Sequence, residues 1–291
     1  MSMFISPTPL PPKTEFSIIR DSGVIPPSGV SVSCMLLTDP VVAARAAVSS
    51  AGAHVLPGDE VRRWLGADDA RWARFAGHWD DLRPDPYAAR SGTRRLRRYG
   101  RFTVSGGGRR EQLPHREFRQ PADSNRLFLD EGRRFEPLAD AFLADPLLDG
   151  VLALLGQVAG ALADPPRWDV YVHPFRVEGS ADSRGDATPE GRHQDGVTLV
   201  SSLLVGRHNA TGGTSTVVDE TGREVLTATL AVPGTLLVGD DRRTWHGVDP
   251  IVPVDRATPA RRDVLVVTFT ETSTRTSTET FTESPDGADD R

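Results

Sequence analysis

Cysteine and lysine are almost absent from this chain of 291 residues, in which Cys34 is the one cysteine and Lys13 the one lysine. A single cysteine excludes intrachain disulfides and any cysteine-rich zinc site. Because the lysine stands near the N-terminus, Schiff-base chemistry or a lysine general base in the body of the fold is excluded as well. The chemistry of the chain must therefore depend on other residue types.

Long apolar runs and an excess of basic charge are also missing. The longest apolar stretch, about residues 146–163, is broken by Asp149, Gly150, Gly156 and Gln157 and is too interrupted for a membrane span, which needs ~18 apolar residues. No basic segment followed by an apolar one opens the sequence, so we expect a cytoplasmic protein without a secretory signal. The net charge of −6 argues against nucleic acid as a partner, and no lysine-rich amphipathic segment suggests a membrane surface. A small-molecule substrate is expected, whereas the oligomeric state does not follow from the sequence.

The first half of the chain has a helical pattern. Residues 1–30 are rich in proline, serine and glycine and are predicted to form an irregular arm. Three helical regions follow, the first beginning at Asp39-Pro40, the second spanning 59–80 and the third beginning at Asp145-Pro146. Their apolar residues repeat at helical spacing, which is typical of scaffold helices that pack against a core.

The second half has the pattern of an all-β unit. From about Trp168, apolar runs of four to eight residues alternate with clusters of Gly, Pro, Asn and Asp. The segments NATGGTS and VDETGRE are the clearest hairpin signals. Helices followed by closely spaced strands predict one α+β domain over residues 31–271, with helical support at about 38–163 and an antiparallel double-sheet barrel from 168 to 270. The polar residues 272–291 are predicted to be a disordered tail.

A candidate metal site follows from three residues in this half. In His193-Gln194-Asp195 the two possible ligands are two positions apart, so an extended backbone directs both side chains to one face. His246 follows 53 positions later, after two predicted hairpins. Two histidines and one carboxylate are the ligand set of non-haem Fe(II) oxygenases, which leaves three coordination positions open. Taken alone, the His-x-Asp triplet favours a turn histidine with a capping aspartate, and residues further along the chain reverse that preference.

An arginine pair downstream supplies a second part of that chemistry. An oxygenase that uses 2-oxoglutarate needs a cation for the distal carboxylate, and the planar fork of arginine binds a carboxylate in bidentate fashion. Arg261 and Arg262 open the last apolar strand, 15 and 16 positions after His246. Neighbours on a strand face opposite ways, so one of the two is expected to be solvated. Spacing alone does not choose between them, and Arg256 is a further candidate.

Several stretches together resemble the bacterial 2-oxoglutarate/Fe(II) dioxygenases that hydroxylate free amino acids, the isoleucine-dioxygenase-like group. The matching stretches are Val172–Arg176, Pro189–Gly196, Arg207–Asn209, Gly212-Gly213, Asp240-Asp241 before Trp245-His246, and Arg262–Val267, with Arg97–Phe102 similar to an early strand of that family. The resemblance covers roughly residues 168–270 and one outlying patch.

The resemblance implies a double-stranded β-helix, or jelly-roll barrel, that includes about residues 97–104. It implies His193, Asp195 and His246 as ligands of Fe(II), with O₂ and 2-oxoglutarate as co-substrates and succinate and CO₂ as co-products. It also implies Arg262, in preference to Arg261, as the residue that binds 2-oxoglutarate. The implied reaction is hydroxylation of an unactivated C–H bond of a free L-amino acid.

Four further residues are candidates for binding the substrate. Tyr171 and His173 alternate on one face of a predicted strand, whereas Arg176 lies on the other face. Arg176 is a candidate for the substrate carboxylate and Glu190 for its amino group. For each of the four, a structural hydrogen bond or ion pair is the alternative interpretation.

Two other classes of protein remain as alternatives. A jelly-roll metalloenzyme of another type, such as a cupin-type hydrolase or isomerase with zinc or manganese, has the same ligands but needs no buried arginine for 2-oxoglutarate. A non-catalytic barrel that binds a ligand tolerates the loss of a metal ligand, whereas all three are present here. A halogenase needs an empty carboxylate position, which Asp195 fills.

Overall fold

The structure is a computed structural model that describes residues 39–105, 109–119 and 132–272. The predicted N-terminal arm, residues 1–30, lies outside the described residues, as do residues 273–291 of the predicted tail. The outer boundaries of the domain therefore stay a prediction.

Aspartate-proline pairs begin the two longest helices, as the sequence predicts. The Asp39 carboxylate accepts a hydrogen bond from the amide of Val41 at 2.9 Å, and Asp145 accepts one from Leu147 at the same distance. Proline fits the first turn of a helix because the N–H groups of that turn have no acceptor within the helix, so the absence of one removes no hydrogen bond. The described helices are α1 (Pro40–Ala51), α2 (Gly58–Trp64), α3 (Asp69–Gly77), α4 (Pro86–Ala89), α5 (Asp140–Leu143) and α6 (Pro146–Ala159), with a 3-10 turn at His78–Asp81.

The predicted helical region 59–80 is divided in the structure. It breaks after α2 at Gly66, whose φ of +59° lies in the left-handed region that glycine adopts without strain. Asp68 then caps α3 by accepting a hydrogen bond from the amide of Arg71 at 2.7 Å. The apolar spacing continues across the break, which is why periodicity alone predicts one region.

Fourteen strands lie in the described residues, most of them in one large antiparallel sheet. They are β1 (Ala53–Leu56), β2 (Arg83–Pro84), β3 (Arg94–Arg97), β4 (Gly100–Ser105), β5 (Arg110–Gln112), β6 (Arg167–Gly179), β7 (Leu199–His208), β8 (Ala210–Gly212), β9 (Thr214–Asp219), β10 (Glu224–Thr229), β11 (Leu236–Asp240), β12 (Thr244–Val248), β13 (Ile251–Pro253) and β14 (Ala260–Glu271). The large sheet has the order β1-β11-β7-β14-β6-β3-β2, with β4 also paired to β6 and β5 paired to β4. The strands β10-β9-β12 form a second sheet and β13-β8 a third. This is the jelly-roll architecture that the sequence predicts.

The two hairpin signals have different outcomes. VDETGRE joins β9 to β10 in an antiparallel hairpin, as predicted. The prediction for NATGGTS is wrong, because β7 pairs with β11 and β14 while β8 pairs with β13. The chain leaves the large sheet there and crosses to the other side of the barrel.

Alternation along the long central strands separates a helix-covered face from a cavity-facing one. On β6, Val170 and Val172 belong to the main hydrophobic core, which also contains residues of α1, α3 and α6. Tyr171 and His173, the next residues in each case, line a cavity between the sheets. Side chains of successive strand residues point to opposite faces, so one strand serves both the core and the cavity. None of the described helices has the length and apolar character needed to cross a membrane.

Candidate metal centre and cavity

His193, Asp195 and His246 come together at one end of the barrel. His246 lies on β12 and forms an isolated antiparallel bridge with His193. The amide of each histidine donates to the carbonyl of the other, at 3.0 and 2.9 Å. Their ring centroids are 4.5 Å apart, and Asp195 oxygens lie 3.8 Å from His193 Nε2 and 3.6 Å from His246 Nε2. One possible ligand atom from each of the three residues lies within 4.8 Å of the other two, which is close enough for all three atoms to bind one metal ion.

Each imidazole directs Nδ1 toward an oxygen of the protein, so Nε2 is left for a metal. His193 Nδ1 donates to the carbonyl of Gly191 at 3.0 Å, and His246 Nδ1 faces the Asp241 carboxylate at 3.5 Å. Partners of this kind fix the ring orientation and raise the basicity of the ligand nitrogen. Two such nitrogens and one carboxylate oxygen fit Fe(II), which is the metal expected for this donor set.

Asp241 is a functional residue that sequence reasoning noted only as part of a motif. Its side chain is fully buried, and Oδ2 accepts hydrogen bonds from the amides of Gly196 and Val197 at 2.8 and 3.1 Å. Its carbonyl accepts a further bond from the Gln194 side chain at 2.5 Å. Asp241 therefore connects the loop that carries His193 and Asp195 to the turn before β12. The available signal was its place five positions before His246 in the sequence.

Charge around His246 favours its protonated form when no metal is bound. Burial by itself lowers the pKa of His246, but the carboxylates of Asp241, Asp195 and Glu190 outweigh it and raise the pKa above its usual value. Metal binding and protonation compete for this ring, which couples metal affinity to pH.

A cavity of about 520 Å³ opens beside the three residues. Its walls come from both sides of the barrel, including Phe175 on β6, Val264 and Val266 on β14, and Val217 on β9. The surface of the wall is mostly apolar, as is typical of small-molecule sites, but its lining residues also include five arginines and three carboxylates.

Arg262 is buried in the wall of this cavity without an anionic partner among the described residues. It is 2% exposed, and neither its Nε nor its Nη2 has a hydrogen-bond acceptor. Burial lowers its pKa to about 10, and the charge of Arg207, its direct cross-strand neighbour, contributes to the shift. Arg261, in contrast, has a side chain 47% exposed and lies 3.4 Å from Glu178, and Arg256 donates to the carbonyl of Ala181. Arg262 is thus the one of the three candidates that faces the cavity and has free donors.

The four predicted substrate residues are not all in the cavity wall. Tyr171, His173 and Glu190 line it, and Glu190 Oε1 lies 3.6 Å from His193 Nε2. Burial lowers the pKa of His173 well below its usual value, and Arg97 lowers it further, so this ring is neutral. Arg176 does not line the cavity. Its Nε and Nη2 each donate to Asp263 at 2.8 Å, which corrects its assignment to the substrate: the guanidinium is already held in a bidentate ion pair on the other face of β6.

Comparisons with known proteins agree with this fold and this site. The family model described as 2OG-Fe dioxygenase matches residues 76–268. A bsmA homolog from Methylobium petroleophilum PM1 has a similar structure, with 32% identity, a TM-score of 0.73, and coverage of 80% of this chain and 93% of that one. No curated protein gives a significant sequence match.

Two more distant structures share the fold. IDO from Bacillus thuringiensis has 18% identity and a TM-score of 0.65, with coverage of 86% of this chain and 100% of that one. The Fe(II)/α-ketoglutarate-dependent dioxygenase TqaL has 16% identity and a TM-score of 0.62, with coverage of 81% and 91%. The family match extends over more than half of the chain and includes all three candidate metal ligands and Arg262. The chain belongs to the 2OG-Fe dioxygenase family, whose members use Fe(II), 2-oxoglutarate and O₂.

Proposed function

We propose that this protein hydroxylates an unactivated C–H bond of a free L-amino acid, with His193, Asp195 and His246 as the Fe(II) ligands and Arg262 as the residue that binds 2-oxoglutarate. The observation that carries the proposal is the pairing of a three-donor cluster with a buried arginine that has unused donors in the same cavity. A hydrolase or isomerase on this fold has no need for such an arginine.

Fe(II) with 2-oxoglutarate supplies the O₂-dependent oxidation that forms succinate and CO₂ and inserts oxygen into the C–H bond. The residues of the chain bind and orient 2-oxoglutarate and the substrate, and they exclude water from the cavity. The Arg262 fork binds the distal carboxylate of 2-oxoglutarate through Nε and Nη2, which places the other end of the co-substrate toward the three ligands. At neutral pH Arg262 is protonated in spite of its lowered pKa of about 10.

The substrate class is supported by the cavity and by the family resemblance. A volume of about 520 Å³ suits 2-oxoglutarate and one further small molecule. Glu190 is a carboxylate beside the metal ligands, where it can bind a substrate ammonium group. The rings of Tyr171 and Phe175 offer apolar surface for a hydrocarbon side chain. His173 contributes as a neutral wall residue. We further propose a cytoplasmic location, because Fe(II) and a single cysteine suit a reducing compartment.

The experiment is a competition among free amino acids. Protein with Fe(II), 2-oxoglutarate and air is incubated with a mixture of proteinogenic and non-proteinogenic L-amino acids, and products are analysed by mass spectrometry. We expect one or a few members to gain one oxygen, with an equal amount of succinate formed. Asp195→Ala, which removes a ligand, is expected to abolish both products. A gain of oxygen by a peptide or carrier-bound aminoacyl group, with none by a free amino acid, would contradict the substrate assignment. It would not contradict the assignment of the Fe(II) ligands.

A further inference from the structure

Four arginines besides Arg262 line the cavity, namely Arg95, Arg97, Arg119 and Arg133, and Arg97 lies across β6 from Arg262. Arg97, the last residue of β3, lines the cavity and is 3% exposed. Its guanidinium carbon lies 3.6 Å from the ring centroid of Phe135 and 4.4 Å from that of Phe175. The surrounding rings hold the planar group in place and screen it from bulk water.

The positive charge of Arg97 is poorly matched by the described residues around it. Asp85 binds Arg95 at 2.8 and 2.9 Å and also accepts two amide hydrogen bonds at the start of α4, whereas it lies 3.9 Å from Arg97 Nη1. Arg97 Nη2 donates to Nδ1 of His173, a neutral ring, at 2.6 Å. Its Nε is buried and has no acceptor. One carboxylate therefore serves two guanidinium groups, and its hydrogen bonds go to Arg95.

Neighbouring charges add to this imbalance. Burial lowers the pKa of Arg97 well below its usual value, and the positive charges of Arg95 and Arg133 lower it further while Asp85 opposes them. A buried cation without a matched anion is costly unless a ligand supplies the anion. The local potential therefore favours an anionic group in the cavity at this point.

The site is separate from the one assigned to 2-oxoglutarate. In the sheet, Arg97 pairs with Phe175 on β6, and Phe175 pairs in turn with Val264 on β14, two residues after Arg262. Two strand spacings amount to about 10 Å, so the backbones of the two arginines are at least that far apart. Two carboxylates on two different molecules can therefore be bound at the same time.

We propose that Arg97 binds a carboxylate of the primary substrate, which makes that substrate an organic acid. The inference rests on the proposed function, because it assigns one end of the molecule that the iron site oxidises. For a free L-amino acid, the α-carboxylate lies on Arg97 Nε, which has no acceptor among the described residues, while Glu190 is available for the ammonium group. The side chain is then directed along the apolar wall. Arg97 thus takes the role of binding the substrate carboxylate, for which Arg176 was the candidate from the sequence.

The experiment compares acids with their carboxamides. Binding is measured by calorimetry under argon, with Fe(II) and 2-oxoglutarate present, for a panel of L-amino acids, acids without an amino group, and the amide that matches each acid. We expect the amide of the best-binding acid to bind the wild-type protein at least about 30-fold more weakly than the acid. A loss of this size is typical when one partner of a buried ion pair is removed. Arg97→Gln is expected to remove that preference and leave the affinity for 2-oxoglutarate unchanged. Arg94→Gln is the matched control, because Arg94 is on the same strand with a side chain 71% exposed and paired to Glu178.

Two results would overturn the proposal. One is an amide that binds wild-type protein as tightly as its acid, which needs no variant and so does not depend on the folding of Arg97→Gln. The other is that no acid of the panel loses affinity in Arg97→Gln, which would leave Arg97 as a structural cation between aromatic rings. Failure of the proposed function looks different. In that case acids without an amino group bind in an Arg97-dependent manner, whereas no amino acid gains oxygen.

Discussion

Replacement of Arg262 by methionine tests two effects of this buried cation separately, namely the stability that it costs the folded protein and the affinity that it gives for 2-oxoglutarate. Methionine has a similar length and no charge, so the variant removes the donors at Nε and Nη2 and keeps most of the packing. Loss of one partner from a buried, charge-paired hydrogen bond costs about 2–5 kcal/mol. The KM for 2-oxoglutarate should therefore rise by roughly 30-fold to several thousand-fold, since every 1.4 kcal/mol or so is a factor of ten.

The same variant should not be less stable than the wild type in the absence of ligand. Arg262 is 2% exposed with two unpartnered donor atoms, and a buried unsatisfied polar group costs about 1–3 kcal/mol. Its removal is expected to maintain or raise the melting temperature, by roughly 2–4 °C for each kcal/mol in a domain of this size. Wild-type protein should gain about 2.7 kcal/mol from 2-oxoglutarate at 100 times its dissociation constant, and the variant at the same concentration should gain almost nothing.

The assay is thermal unfolding with and without 2-oxoglutarate, together with the KM from succinate formation. Arg261→Met is the matched control, because Arg261 is the neighbouring strand residue with a half-exposed side chain near Glu178. Small and equal effects of the two substitutions would refute the assignment, and a larger effect at Arg261 would transfer it there. A variant of Arg262 that unfolds at a much lower temperature than the wild type would refute the view that this cation is unpaired.

Three further substitutions test neighbouring parts of the account. Asp241→Asn should weaken Fe(II) binding by about 10- to 100-fold in a metal titration, because it removes the charge that faces a ligand imidazole. Arg176→Ala should lower the free energy of unfolding by about 3–5 kcal/mol in urea, because it leaves Asp263 buried and unpaired, and the KM for 2-oxoglutarate should change little. Gly213→Ala should destabilise the fold by more than about 1 kcal/mol in urea, since φ is +69° and the new methyl lies 2.9 Å from Ile251 Cγ2.

The parts of this protein that depend on local pattern could be predicted from the sequence. The caps Asp39 and Asp145 are local signals, and both begin helices as expected. The two-residue spacing of His193 and Asp195 predicts one shared face, and their side chains do converge although the backbone there forms only an isolated bridge. The burial difference between Arg261 and Arg262 follows from strand alternation, but which of them faces inward needed the register of β14.

The parts that depend on long-range pairing could not be predicted. NATGGTS has the composition of a hairpin turn, yet the pairing of β8 with β13 outweighs the local preference. Arg97 and Asp85 are 12 positions apart, and no local rule indicates that Asp85 binds Arg95 in preference to Arg97. Arg176 looked available because Asp263, its partner on β14, follows it by 87 positions.

Metal binding and turnover measured on the same samples test the central claim most directly. Purified protein, stripped of metal and titrated anaerobically with Fe(II), is expected to bind one ion per chain and then to convert 2-oxoglutarate to succinate when air is admitted. Asp195→Ala and His246→Ala are expected to lose both the tight binding of Fe(II) and succinate formation. One-to-one binding of Fe(II) that persists with unchanged affinity in both variants would contradict the assignment of His193, Asp195 and His246 as the metal centre.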